Sequence, residues 1–485
     1  MACIQATSPL TRRFTGFLML SSRELTLLAF LFLCSLPAVT ARLYSSDEVQ
    51  YFSYLRSLWF DHDVSFENEY RYFYDHGIAQ SAGFHYTFLE LQTPAGRRIN
   101  YGTIGCAVLW SPFYAAADIV ARAARAAGYD VAVDGYSRPY VMAVAYGSTF
   151  YGFATIVLGI AAARRILGAG ALTSGLAVWA GTPILFYMYI APPFSHACSA
   201  FAVALFVTVW LHVRRTWTVR GVVALGLSGA LVAMVREQDL LFTVAPGIDY
   251  VLTQWARARS RGPEGRSGTS IAPAVAGCVA FAIGYLPQLL AYEALNGGPR
   301  PSELVTRKMN WIAPHALQVL ASPEHGLFFW TPLAVLSLAG LVVLSTRGDA
   351  ARRRVGACLL LMVALQVYVS GAVESWTVAG AFGQRRFVSI TMLLVVGLAA
   401  LREAVPARTS RTLLNITIAL CVWWNVALMA EFGTGLMDRQ RLEPGRNAYD
   451  AFVTLPRMAP HLIYRYLVHR SSFYKPPAAP RQEQR

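Results

Sequence analysis

Asp47 and Glu48 stand side by side in "RLYSSDEVQY", just after the chain's first strongly apolar run, "LTLLAFLFLCSLPAVTA" at 25–41. A carboxylate this close to hydrocarbon is costly unless it is partnered or used. Four later turns carry further ionisable groups. His196 lies in "PPFSHACSAF"; Arg236, Glu237, Gln238 and Asp239 in "VREQDLLF"; Glu324 and His325 in "SPEHGLFFWTPL"; and Glu374, Trp376, Gln384, Arg385 and Arg386 in "ESWTVAGAFGQRRF". A carboxylate can take the proton of a hydroxyl nucleophile. Guanidinium groups offer paired donors that match phosphate oxygens, and a hydrocarbon setting strengthens both effects. Trp110, Trp376 and the tyrosine-rich "NEYRYFYDHGIAQSAGFHY" add flat surfaces for a sugar ring. A substrate with a lipid tail, a phosphate at the membrane surface and a sugar beyond it suits this set.

Taken singly, each residue has a plainer reading. An arginine at a helix end snorkels, a histidine at a turn is solvated, and Glu237 and Asp239 can pair with Arg236. Asp61 and Asp63 in "DHD" resemble a metal-binding pair, but acidic loops are common and no metal is assigned there. The chemical reading gains weight only if the chain gathers these turns on one face, which depends on how it is threaded.

The chain has 485 residues, 55% hydrophobic and only 14% charged, with a mean hydropathy of +0.41. About a quarter of residues are charged in ordinary soluble domains. The fold class expected is therefore an all-α polytopic membrane protein. Eleven apolar runs are long enough to cross hydrocarbon: 25–43, 140–163, 169–190, 197–213, 219–235, 239–256, 271–293, 326–346, 355–373, 387–402 and 411–431. Arg12, Arg13 and Arg23 ahead of the first run suit a removable signal peptide, but the many spans that follow favour an uncleaved anchor. The weaker stretch 104–124, with Ser111, Pro112 and Asp118, is expected to skim the outer interface rather than span. With eleven spans, the loops 164–168, 214–220, 257–266, 347–354 and 402–411 face the cytosol with 16 arginines, against six Lys or Arg in the opposite short loops. That asymmetry obeys the positive-inside rule and would invert if 104–124 crossed.

Residues 1–431 then form one transmembrane domain with a long external loop, 44–139, and 432–485 a polar, loosely attached external segment. All five turns fall on the outer face. The net charge of +15 is almost all arginine and reads as topological, so no nucleic acid is expected. The seven cysteines form neither a metal-type spacing nor a disulfide framework.

With this order of features the chain resembles the polytopic GT-C glycosyltransferases, and is most similar to bacterial relatives of protein O-mannosyltransferases and of the lipid A aminoarabinose transferase. The residues that carry the resemblance are "RLYSSDEVQY", "GTIGCAVLWSPFYAAA", "RRILG", "SPEHGLFFWTPL" and "GAFGQRRF". It implies inverting transfer of a sugar from a polyprenyl-phosphate donor to an acceptor hydroxyl on a glycan, lipid or protein, at the external face of the plasma (inner) membrane. Asp47, with Glu48 as neighbour, would activate the acceptor. Arg385 or Arg386, helped by His196 and Arg236, would hold the phosphate; Trp376, Gln384, Glu324, His325 and Trp110 would line the substrate. No soluble cofactor is implied, although some relatives use a divalent cation. The lysine of the "KPP"-type motif common in the first loop is absent, with "GTIGCAVLWSP" in its place. Of the two arginines, Arg385 is expected to hold the phosphate beside a small Gly383, and Arg386 to snorkel to the headgroups. A transporter or lipid-linked-sugar flippase is the rival reading. It would place charges at mid-membrane in repeated, broken helices, and no internal repeat is present.

Overall fold

The computed structural model describes residues 20–168, 171–260, 271–378 and 380–474. Arg12 and Arg13, most of the 257–266 loop and the proline-rich end after 474 lie outside these. The described residues are helical, with two isolated β-bridges, Gln92–Arg98 and Met309–Val373. Helices of nine residues or more are labelled α1 Ser22–Ser35, α2 Ser46–Arg56, α3 Glu67–Asp75, α4 Gly105–Ala126, α5 Arg138–Leu167, α6 Ala171–Gly181, α7 His196–Val213 and α8 Val219–Val235. They continue with α9 Val244–Ser260, α10 Ala272–Asn296, α11 Leu333–Thr346, α12 Ala350–Ala372, α13 Thr391–Ala404, α14 Arg408–Thr434 and α15 Leu455–Val468.

Among the described residues, six helical runs are long and apolar enough to cross a membrane: α5, α7, α10, α12, the stretch Arg385–Ala404 that contains α13, and α14. Shorter apolar helices, α6, α8 and α11, complete an all-helical, multi-pass membrane protein. Each of the eleven expected runs is helical over most of its described length, but the third and eighth are broken, and the sixth and tenth begin as 3-10 helices, near the turns that carry the charged residues. The third breaks at Thr182–Pro183 between α6 and Ile184–Tyr189. The eighth breaks at Thr331–Pro332 between Leu327–Trp330 and α11. Proline lacks the N–H a helix interior needs and crowds the preceding turn, so a break there is expected. The sixth begins as a 3-10 helix, Glu237–Thr243, before α9.

Glycines let the spans cross closely. A Cβ on Gly340 of α11 would lie 1.8 Å from the Gly397 carbonyl oxygen of α13, and one on Gly226 of α8 would lie 2.2 Å from that of Gly277 on α10. With no hydrophobic drive between helices in lipid, such small-residue contacts supply the packing.

The segment 44–139 joins these helices through α4, which packs against α5 and α8. Its aromatic core includes Phe52, Tyr54, Phe66, Tyr70 and Phe73, all buried. The stretch 104–124 is a single 22-residue helix, α4, whose first turn abuts the end of α8: a Cβ on Gly105 would meet the Met234 carbonyl carbon at 2.4 Å. Asp118 of α4 accepts from Tyr140 Oη at 2.7 Å, Trp59 Nε1 at 3.2 Å and Arg122 Nε at 2.9 Å. The C-terminal segment differs from the loose tail expected of its composition. Leu442, Ala451 and Leu455 are buried, and Asn447 Nδ2 donates to Glu431 Oε2 at 2.6 Å.

Candidate functional site

The carboxylate region begins at a helix start. Ser45 caps α2, and Glu48, three residues on, closes the capping box: its Oε2 accepts from the backbone N–H of Tyr44 at 2.5 Å and of Ser45 at 2.9 Å. Glu48 is fully buried, and burial pushes its carboxyl up to about 8. It is thus occupied at the helix end, and the spacing Ser45-x-x-Glu48 is the sequence signature of that role. Asp47, one position earlier, points elsewhere, because successive side chains on a helix diverge by about 100°. Its side chain is 39% exposed and its Oδ2 accepts from Arg385 Nη1 at 2.8 Å, across 338 residues of chain.

Arg385 opens the tenth apolar run as the first residue of a 3-10 helix, Arg385–Ile390, which leads into α13. The preceding turn is held by contacts to two separate segments. Tyr187 Oη donates to the Phe382 carbonyl at 3.1 Å, Phe382 stacks on Phe186 at 4.7 Å, and His325 Nε2 meets the Ala381 carbonyl at 2.9 Å. Gly383 has φ +62°, and a Cβ there would meet Pro183 Cγ at 2.8 Å. The expected role of Gly383, letting a headgroup approach, is therefore replaced by close packing on the third run's proline. The Arg385 guanidinium also sits 5.6 Å from the centre of the Phe194 ring, a cation–π arrangement.

Arg386 does not reach toward headgroups as expected. It is 8% exposed, and its guanidinium donates to the Ser375 carbonyl at 2.9 Å and to Ser375 Oγ at 3.3 Å. It braces the turn that carries Trp376. Gln384 supports the same turn by donating from Nε2 to the Trp376 carbonyl at 3.0 Å. Trp376 is half-buried and stacks on His315 at 5.4 Å.

His196 and Arg236 are brought together. Arg236 Nη1 donates to His196 Nδ1 at 2.5 Å, which leaves the imidazole proton on Nε2. That Nε2 is buried without a partner among the described residues, as are Nδ1 of His325 and Oε1 of Gln384. Arg385 and Arg386 also lie within electrostatic reach of His196. Three guanidiniums thus face two carboxylates, Asp47 and Asp239, the latter bound by Ser199 Oγ at 2.5 Å. A net positive field remains, as an anion site requires.

His325 is fully buried with φ 65° and stacks on Trp330 at 4.6 Å, while Glu324 is exposed on the adjoining turn. Trp110, expected to face substrate, is instead core: it is fully buried and its Nε1 donates to Ser148 Oγ of α5 at 2.8 Å. Among the described residues no group of three metal-ligating side chains occurs, and Asp61 and Asp63 are engaged by Arg56 and Asn68, and by Ser57 and Ser65, respectively. Sequence reasoning did not single out Tyr51, one helical turn after Asp47 on the same face of α2. Its hydroxyl lies by Ser195 and within reach of Arg236 and Asp47, and burial pushes it up to about 12. The i, i+4 spacing from Asp47 was the available signal.

No family model and no curated protein matches this chain. Among solved structures, the chain is similar to ArnT from Cupriavidus metallidurans, crystallised bound to undecaprenyl phosphate, with 14% identity over 87% of this chain and 72% of that one and a TM-score of 0.49.

Proposed function

We propose that this protein transfers a sugar from a polyprenyl-phosphate donor to an acceptor hydroxyl at the outer membrane face. The observation that carries this reading is the contact of Asp47 with Arg385, a half-exposed carboxylate at 2.8 Å from a guanidinium in an arginine-rich turn. Asp47 is the base. It takes the acceptor's hydroxyl proton as that oxygen bonds to the anomeric carbon. The bond from that carbon to the phosphate oxygen breaks on the opposite face, which inverts the centre, and its electron pair leaves on the phosphate. Arg385 holds that phosphate through its paired donors, and the Arg236–His196 pair adds positive charge and the free Nε2–H donor. In the resting site Asp47 and the phosphate compete for one guanidinium. Donor binding therefore draws Arg385 off Asp47 and leaves the carboxylate for the acceptor.

An apolar groove of about 380 Å³, lined by residues such as Phe206, Gly226, Leu240, Tyr250 and Phe281, supports a substrate with a hydrocarbon tail. Its wall at Leu240 and Thr243 continues directly from the Arg236 turn. The test is transfer of radiolabelled sugar from a purified polyprenyl-phosphate donor by membranes that contain the protein. Transfer that disappears in Asp47→Asn supports the reading. Undiminished transfer by that variant overturns the assignment of the base, and no transfer from any such donor by the wild type overturns the reaction.

A further inference from the structure

The chain between α10 and the eighth apolar run is tied along its middle to the C-terminal end of α12. The Lys308 carbonyl accepts from the Glu374 N–H at 2.8 Å, and the Asn310 N–H donates to the Ala372 carbonyl at 2.6 Å. Tyr368 Oη donates to the Trp311 carbonyl at 2.6 Å. The chain then turns back, and the His315 N–H donates to the Gly371 carbonyl at 2.9 Å. The partners thus run from 374 through 372 to 368 and return to 371. Residues 308–315 dip alongside the last turns of α12, with Trp311 and Ile312 at the deepest point.

Helix α12 fixes how deep that point is. No Asp, Glu, Lys or Arg occurs between Arg354 and Glu374. From Arg354 to the helix end at Ala372 the rise is about 27 Å, close to the roughly 30 Å of hydrocarbon. The exposed positions of α12 in this stretch are Ala357, Ala364 and Tyr368, spaced seven and four apart and so on one stripe. An uncovered stripe along a span of this composition faces lipid, and Tyr368 stands near its end. The dip therefore carries its residues to the lipid-facing side of α12, short of the charged level at Glu374. There Ile312 is 97% exposed, Leu317 78% and Trp311 48%, with the Trp311 ring 6.0 Å from that of Tyr368. Arg307 and Lys308, both exposed, stand at the top of the dip.

We propose that residues 310–317 anchor this part of the protein in the membrane interface, with Trp311, Ile312 and Leu317 among the first acyl carbons and Arg307 and Lys308 at the phosphates. The partner is a lipid surface. Contact with Tyr368 on the lipid-facing stripe argues for that occupant. So does the order of groups from the Glu374 level inward, cations first, then the indole and the aliphatic side chains, which is the order across a bilayer interface. His315 stacks on Trp376, so the anchor also sets the height of that turn above the acyl chains. The anchor does not depend on which reaction the site performs.

The test uses the full chain in phospholipid nanodiscs with its native cysteines replaced. A nitroxide is attached at Ile312→Cys, at Leu317→Cys or at the exposed Glu303→Cys, and collision rates with oxygen and with a water-soluble nickel chelate are compared. Oxygen should dominate severalfold at 312 and 317, and nickel at 303. Leu317→Cys carries the measurement if Ile312→Cys misfolds. Nickel access at 312 and 317 equal to that at 303 overturns the proposal by putting the dip in water. Protection of 312 and 317 from both reagents overturns it by revealing a protein cover, such as a second copy.

Discussion

Two neighbouring carboxylates have been given different work by one helix start. Asp47→Asn should lower transfer on the order of 100-fold or more with the protein still folded. Glu48→Gln should keep most activity, because a neutral amide oxygen can still accept the Tyr44 and Ser45 N–H groups. The reverse ranking, measured with the same radiolabelled donor, would reassign the base. Glu48 also makes a pH prediction. Burial raises its carboxyl from 4.5 to about 8, so the folded protein holds that proton more tightly than the unfolded chain. The stability this gives is complete below the unfolded value and is lost as pH climbs toward 8, by at most about 1.4 kcal/mol per pH unit. Melting temperature followed across that window should fall in the wild type and fall less in Glu48→Gln. For the arginines, Arg385→Lys keeps charge but loses the fork and should raise the apparent donor constant or slow transfer. Arg386→Lys should instead lower thermal stability with the donor constant little changed, since its partners are Ser375 atoms.

At the scale of elements, glycine crossings decide whether the spans meet at all. Gly397→Leu puts a branched side chain where even a Cβ would lie 2.1 Å from the Ser337 carbonyl oxygen. Overpacking of this kind costs about 1–3 kcal/mol, and backbone as the obstacle puts this site at the upper end. Gly433→Ala, with nothing within 4 Å of the added Cβ, is the matched control and should not lower the melting temperature. The same scale shows what was legible beforehand. Eleven apolar runs stood out because each helix must satisfy hydrocarbon by composition alone, and over the described residues each is mostly helical. The breaks at Pro183 and Pro332 were not legible in advance, since Pro287 lies inside the unbroken α10. That Gly383 packs on Pro183, or that Arg386 turns inward to Ser375, depends on which helices are neighbours, and periodicity carries no such information.

For the whole molecule, the expected threading places Ala126 and Gly168 on opposite sides of the membrane. Both positions are exposed, so single cysteines there, probed with a membrane-impermeant thiol reagent, should react from opposite faces. Reaction from one face would dissolve the eleven-span arrangement. The candidate site was legible as a set of turns, but not as a set of contacts. Asp47, Arg385, His196 and Arg236 converge, whereas Trp110 joins the core, because hydrophobic burial and a bond to Ser148 outweigh exposure of its indole. The C-terminal segment misled by composition: its charges suggest a free polar tail, while its apolar residues recur at helical spacing and dock against α14.

The pairing of Asp47 with Arg385 also sets a timetable for biosynthesis. The two residues leave the ribosome 338 positions apart, a delay on the order of half a minute at about 5–20 residues per second. Until the tenth apolar run is inserted, the carboxylate has no cation from that turn. A chain stalled or truncated before that point therefore carries Asp47 without its Arg385 partner.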